Sequence, residues 1–86
     1  MKITEIQITP IKASNGLIAF ASCVLDGNIY LGSIGVHKRL DGSGYRITYP
    51  TKTVAGKSFH IFHPINRQAS EEIEKAIVSK AEEIMG

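Results

Sequence analysis

A small antiparallel β-sheet of about five strands, with a single α-helix closing the chain, is the two-layer α+β architecture that the sequence implies. Three observations point to it. Residues 1–65 alternate apolar and polar side chains with a period of two, in runs broken by Asn, Asp, Gly and Pro. Residues 66–86 switch to apolar spacings of three and four. No linker, repeat or low-complexity tract separates the two parts, so 86 residues make one domain over 1–86, with a sheet over 1–65 and a helix over 66–86.

Met1 to Thr9 reads as the first strand: Ile6 and Ile8 alternate with Glu5, Gln7 and Thr9, and Pro10 ends or edges the run. Ser14-Asn15-Gly16 is a turn, since Asn and Gly accept positive φ. Leu17 to Leu25 follows as a second strand. Ile18, Phe20, Ser22 and Val24 share one register, Leu17, Ala19, Ala21, Cys23 and Leu25 the other, and both are mostly apolar, so the strand is expected to be covered on both faces. Asp26-Gly27 is the strongest hairpin signal in the chain. Asn28 to Arg39 returns as the third strand, where Gly32 and Gly35 predict a bulge or bend. Asp41-Gly42-Ser43-Gly44 reverses the chain again. Tyr45 to Tyr49 is a short strand stopped by Pro50, Thr51 to Lys57 reads as a polar loop, and Ser58 to Phe62 as a last strand before His63-Pro64.

In the helix, Ala69, Ile73, Ala76, Ile77, Ala81 and Ile84 lay down one apolar stripe, with Asn66 as N-cap and Ser70 as the alternative. Glu71, Glu72 and Glu74 lie near its start, where the macrodipole favours negative charge. One helix covers one face of a small sheet. A second copy of the chain is therefore expected to cover the other face or a sheet edge, most economically as a two-fold homodimer.

With hydrophobic residues at 43% and charged residues at 21%, the chain is an ordinary globular one. The only cysteine, Cys23, excludes an internal disulfide framework and suits a reducing cytoplasm; its apolar neighbours predict a buried, unreactive thiol. No apolar run approaches the roughly 20 residues of a membrane span, and no signal-peptide core follows Met1-Lys2. Neither a phosphate loop, nor a dinucleotide fingerprint, nor a nucleophile elbow occurs, so no enzyme, small-molecule substrate or cofactor is expected. His60 and His63 raise the thought of a metal pair. Positions three apart on a strand point to opposite faces, however, and no Cys or acid stands at ligand spacing, so no metal is expected.

The charge distribution is more informative. Residues 1–65 carry seven Lys and Arg against three carboxylates, whereas residues 66–86 carry three against five, giving +4 and −2. The basic candidates are Lys38 and Arg39 at the end of the third strand, Arg46 on the fourth, Lys52 and Lys57 after it, and Arg67 at the helix start. A hairpin across residues 41–44 would bring Lys38, Arg39 and Arg46 together, with Tyr45 and Tyr49 stacking on bases or capping the core.

Four segments in register carry a family likeness. They are Met1-Lys2-Ile3-Thr4-Glu5-Ile6, Ala19-Phe20-Ala21-Ser22-x-x-Leu25-Asp26, the run from Gly44 through Tyr49-Pro50-Thr51-Lys52, and His63-Pro64-Ile65-Asn66 ahead of Ile73-Glu74-x-Ala76-Ile77. In order and spacing they resemble the SpoVG family, the stage V sporulation protein G or septation regulators of bacteria. The resemblance implies a small cytoplasmic dimer, an antiparallel sheet with a helix, binding to DNA or RNA, and a role in gene regulation, sporulation and septation. It carries Lys52 over as a nucleic-acid contact; Thr53 stands where the family has a second cation. The expected phosphate-contacting residues are thus Lys38, Arg39, Arg46, Lys52, Lys57 and Arg67. The competing expectation is an interaction module that pairs its sheet edge with another protein's strand, without nucleic acid.

Overall fold

The computed structural model describes all 86 residues. In chain order the elements are β1 (Ile3–Ser14), β2 (Leu17–Leu25), β3 (Ile29–Lys38), β4 (Tyr45–Thr48), β5 (Thr51–Val54), β6 (Lys57–His60) and α1 (Arg67–Met85). Strands β1 to β4 form an antiparallel sheet in sequence order, each joined to the next by a hairpin, and β5 and β6 form a separate two-stranded ribbon. The sheet of about five strands expected from the sequence is therefore four strands plus two.

The turns explain the register. Asn15 and Gly16 have φ of 50° and 88° and join Ser14 directly to Leu17. Asp26 and Gly27, at 51° and 68°, precede an Asn28 amide that donates to the Leu25 carbonyl at 2.9 Å. Positive φ at both central positions matches the right-handed twist of the flanking strands. Strand β1 runs on past Pro10, which pairs with Ala19. A proline is tolerated there because β1 is an edge strand and loses no ladder bond on its outer side.

The segment expected as a polar loop is instead the ribbon. Ala55 and Gly56 take φ of 52° and 79° and close a two-residue hairpin between Val54 and Lys57. Pro50 lies just beyond β4, and its carbonyl accepts a 2.9 Å bond from Ile61, which ties the base of the ribbon. Strand β6 consequently ends at His60, short of Phe62. An alanine in the left-handed region costs roughly 1 kcal/mol. Ala55→Gly is expected to strengthen the ribbon by about that amount or less, read as slower amide exchange across β5 and β6.

Bulges decide which side chains reach the core. Leu31 and Ile34 are three residues apart yet both buried, because Gly32 and Ser33 face a single β2 residue and absorb the extra step, with Ser33 at φ 58°. A second bulge at Ile18 turns that residue toward the core and leaves Leu17 opposite His37 on the other face, reversing the register read for those two residues. The buried set is Ile8, Ala19, Ala21, Cys23, Leu31, Ile34 and Val36 from the sheet, and Ile73, Ile77 and Ala81 from the helix. Burial pushes the Cys23 thiol above its usual range.

The helix is capped as its sequence requires: the Asn66 side chain accepts the Ala69 amide at 2.8 Å. Its first turn holds no acidic residue, because Arg67 opens it and Glu71 falls one turn later. The macrodipole contribution read from the glutamates is small at that depth. Ile84, counted in the apolar stripe, is 48% exposed. The helix approaches the two outer strands, β1 and β4, so it spans one face of the sheet. The opposite face is open in the single chain.

Candidate functional site

The cations predicted to act together are distributed over three surfaces. On β3 and β4, Lys38 is paired with Tyr45 and His37 with Arg46. Adjacent ladder positions face opposite ways, so Lys38 lies on the helix side and Arg46 on the open side, and the expected three-residue cluster does not form. Lys38 instead lines a groove with Glu82 and Gly86 at the helix C-terminus. Arg39 and Arg46 do come together, lining a shallow depression with Asp41. Bonds from Ser43 hold the Asp41 carboxyl below the usual range, and its Oδ1 accepts the Ser43 amide at 2.9 Å.

Two of the six cations have acidic partners on the helix. Arg39 reaches Glu74 at 3.6 Å and Arg67 reaches Glu71 at 3.4 Å, in exposed pairs that salt readily screens. Lys38, Arg46, Lys52 and Lys57 take part in no ion pair. The two tyrosines belong to the core side. Tyr45 and Tyr49 pack against the buried cluster, and Tyr49 meets Phe62 edge-on at 5.9 Å. Burial, then the charge of Glu74, raises the Tyr49 hydroxyl above its usual range.

The ribbon gathers the remaining basic charge. Lys52 is opposite Phe59, and Val54 opposite Lys57, so these four side chains share one face; Thr51, Thr53, Ser58 and His60 share the other. Every residue of both strands is exposed, no carboxylate lies between Thr51 and His60, and no other element packs closely on the pair. The imidazoles of His60 and His63 approach to 4.8 Å between ring centres, because the chain has left the strand by His63. His63 Nδ1 lies 3.0 Å from the Pro64 carbonyl, as a donor of that bond. No third His, Cys, Asp or Glu joins them.

The open face holds a feature that the alternation of the strands alone does not reveal. His37 Nε2 and Thr48 Oγ1 hydrogen-bond at 3.0 Å across Gly35, whose missing Cβ would sit 2.6 Å from that hydroxyl. A glycine flanked on the facing strand by a threonine, with a histidine two residues on, is the available signal. Desolvation and then the charge of Arg46 lower the His37 pKa. The unfolded chain thus takes up a proton that the folded chain resists. Stability contributed by neutral His37 is complete above the usual histidine range and is lost as pH falls toward the lowered folded value. Thermal stability is expected to drop as pH falls below the usual histidine range, and His37→Gln to flatten that dependence.

Known proteins are similar to this sequence over nearly its whole length. The sequence model of the SpoVG family matches residues 1–83. The chain belongs to the SpoVG family. Curated SpoVG relatives are named "Putative septation protein SpoVG". The one from Clostridium kluyveri is 34% identical over 98% of this chain and 86% of its own length. Those from Finegoldia magna and Clostridium perfringens are each 33% identical, over 96% and 98% of this chain and 76% and 92% of their own lengths. SpoVG relatives are thus named for septation and not for an enzymatic reaction. No helix of this SpoVG chain is long and apolar enough to cross a membrane.

Proposed function

We propose that this protein is a homodimeric nucleic-acid-binding regulator of the septation type, holding DNA or RNA by its phosphates. The ribbon carries the reading. Lys52 and Lys57 project from one face of an arm with no acidic residue and nothing packed over it. An isolated two-stranded hairpin is marginally stable in water, so such an arm gains from a partner, and its charge selects a polyanion. Lys38, Arg39, Arg46 and Arg67 lie on other surfaces and make separate phosphate contacts, with phosphate displacing Glu74 and Glu71 from the two arginines. The second copy seats on the apolar end of the chain, where Ile29 and Ile65 line one groove and are 56% and 88% exposed.

Fluorescence anisotropy against labelled duplex DNA and single-stranded RNA, across a salt series, tests the reading. Affinity is expected to fall steeply as salt rises. Folded protein that binds neither polymer at low salt overturns it. Ile61, 64% exposed beside the ribbon, favours one other reading, an arm that pairs with a protein strand; that association would respond little to salt.

A further inference from the structure

The face of the four-stranded sheet turned away from the helix carries two large aromatic side chains, Phe20 on β2 and Tyr30 on β3, 41% and 70% exposed. Both are on the central strands of the sheet. They line one shallow depression with Gln7, Thr9, Ser22 and Ser33. None of those four polar side chains is used in a hydrogen bond within the chain. Aromatic walls therefore flank a floor of free donors and acceptors.

The placement of Tyr30 depends on its neighbour. The outer end of the ring sits over Gly32, where a Cβ would come within 2.8 Å of Cε2. Gly32 does not take positive φ, so a side chain there would meet only the ring, which is exposed and would be displaced. Arg46 lies beside His37 on this face, and no acidic residue holds a paired ladder position there; Asp41 shares the depression at Arg46, and Glu5 sits in the bulge of β1. Aromatic stacking surfaces, unpaired polar groups at base height and a cation at the margin together match a stretch of unpaired nucleotides. Sheets with one helix-covered face use exposed aromatics in this way to stack two or three bases.

We infer that this open face is a base-stacking site for single-stranded nucleic acid, with Phe20 and Tyr30 as the stacking side chains, Gln7 and Ser22 at the base edges and Arg46 on a flanking phosphate. The inference rests on the nucleic-acid reading above and gives the ribbon and the sheet separate tasks. The ribbon cations hold phosphates of any polymer, while the sheet holds bases and so favours unpaired strands.

The test uses the full chain, a labelled single-stranded RNA of about eight nucleotides, and an abasic strand of the same length that keeps every phosphate. Phe20→Ala and Tyr30→Ala are each expected to weaken binding to the base-bearing strand roughly 5- to 100-fold and to leave the abasic strand unaffected. Tyr30→Phe retains affinity, and Gly32→Ala, which displaces the ring, does not. Lys52→Ala/Lys57→Ala weakens both strands. Unchanged binding in Phe20→Ala and Tyr30→Ala, with loss in the lysine variant, overturns the stacking site and leaves the nucleic-acid reading standing. Absence of binding in the wild type overturns both. Conversion of a dimer into a monomer by Phe20→Ala, measured by light scattering, makes this face a protein interface and also overturns the site.

Discussion

Ile77→Ala is expected to cost about 2–5 kcal/mol and to bring the chain close to unfolding at ambient temperature. Ile77 is fully buried between the helix and the sheet, among the ten buried apolar residues at the centre of the core. A domain of this length holds only about 4–13 kcal/mol in all. Few other interactions compensate. The three ion pairs are exposed, and the buried residues that β2 supplies are small, Ala19, Ala21 and Cys23, which cannot spread into the space a missing isoleucine leaves. Urea unfolding followed by circular dichroism should show a midpoint lower by about 0.7 M or more, on a slope of about 1–3 kcal/mol per M. Ile84→Ala is the control: the same residue type on the same helix, 48% exposed, with an expected loss under about 1 kcal/mol. Equal losses at the two positions would mean that the helix does not pack on the sheet through its Ile73-Ile77-Ala81 stripe.

Local chemistry made most of this fold readable. Asn15-Gly16 and Asp26-Gly27 each fix a hairpin because positive φ is cheap at those residues, and the stripe and the Asn66 cap define the helix. Polarity misled at Thr51–Lys57. A strand is recognised by the apolar face it buries, and β5 and β6 bury none. Their pairing rests on a two-residue turn at Ala55-Gly56, whose first position is a residue that rarely adopts it. Bulges were legible only as an approximate feature. The glycines marked where β3 is irregular, but which side chains change face depends on the facing strand, as with Leu17 and Ile18.

The candidate site was readable as a set of cations and not as a surface. Alternation along β3 and β4 was sufficient to separate Lys38 from Arg46, but only once the register of Lys38 with Tyr45 was known. That the helix would draw Arg39 and Arg67 to Glu74 and Glu71 depends on where the helix lies across the sheet and on its first residue. Phe20 reads in the sequence as part of a strand covered on both faces, and Tyr30 carries no signal of its own there. The single helix covers one sheet face only, which leaves both rings in solvent.

Removing Lys52 and Lys57 together is expected to have the largest effect on function. Each is exposed to solvent, so Lys52→Ala/Lys57→Ala should leave the stability of the folded chain unchanged within about 0.5 kcal/mol. On duplex DNA, each neutralised phosphate adds about −0.9 to the slope of log K against log salt. Removing two phosphate-binding cations per chain should therefore flatten that slope by about 2, or about 4 for a dimer that uses both arms. In the ion-pair picture the difference from wild type is greatest at low salt and shrinks as salt rises, since counterions then replace what the lysines displaced. Arg39→Ala and Arg67→Ala should flatten the slope less, because each arginine must first leave a carboxylate that already neutralises part of its charge. Anisotropy on one duplex at four or more salt concentrations resolves these slopes. A double variant with the wild-type slope would place the phosphate grip away from the ribbon, on the Arg39 and Arg46 side of the sheet.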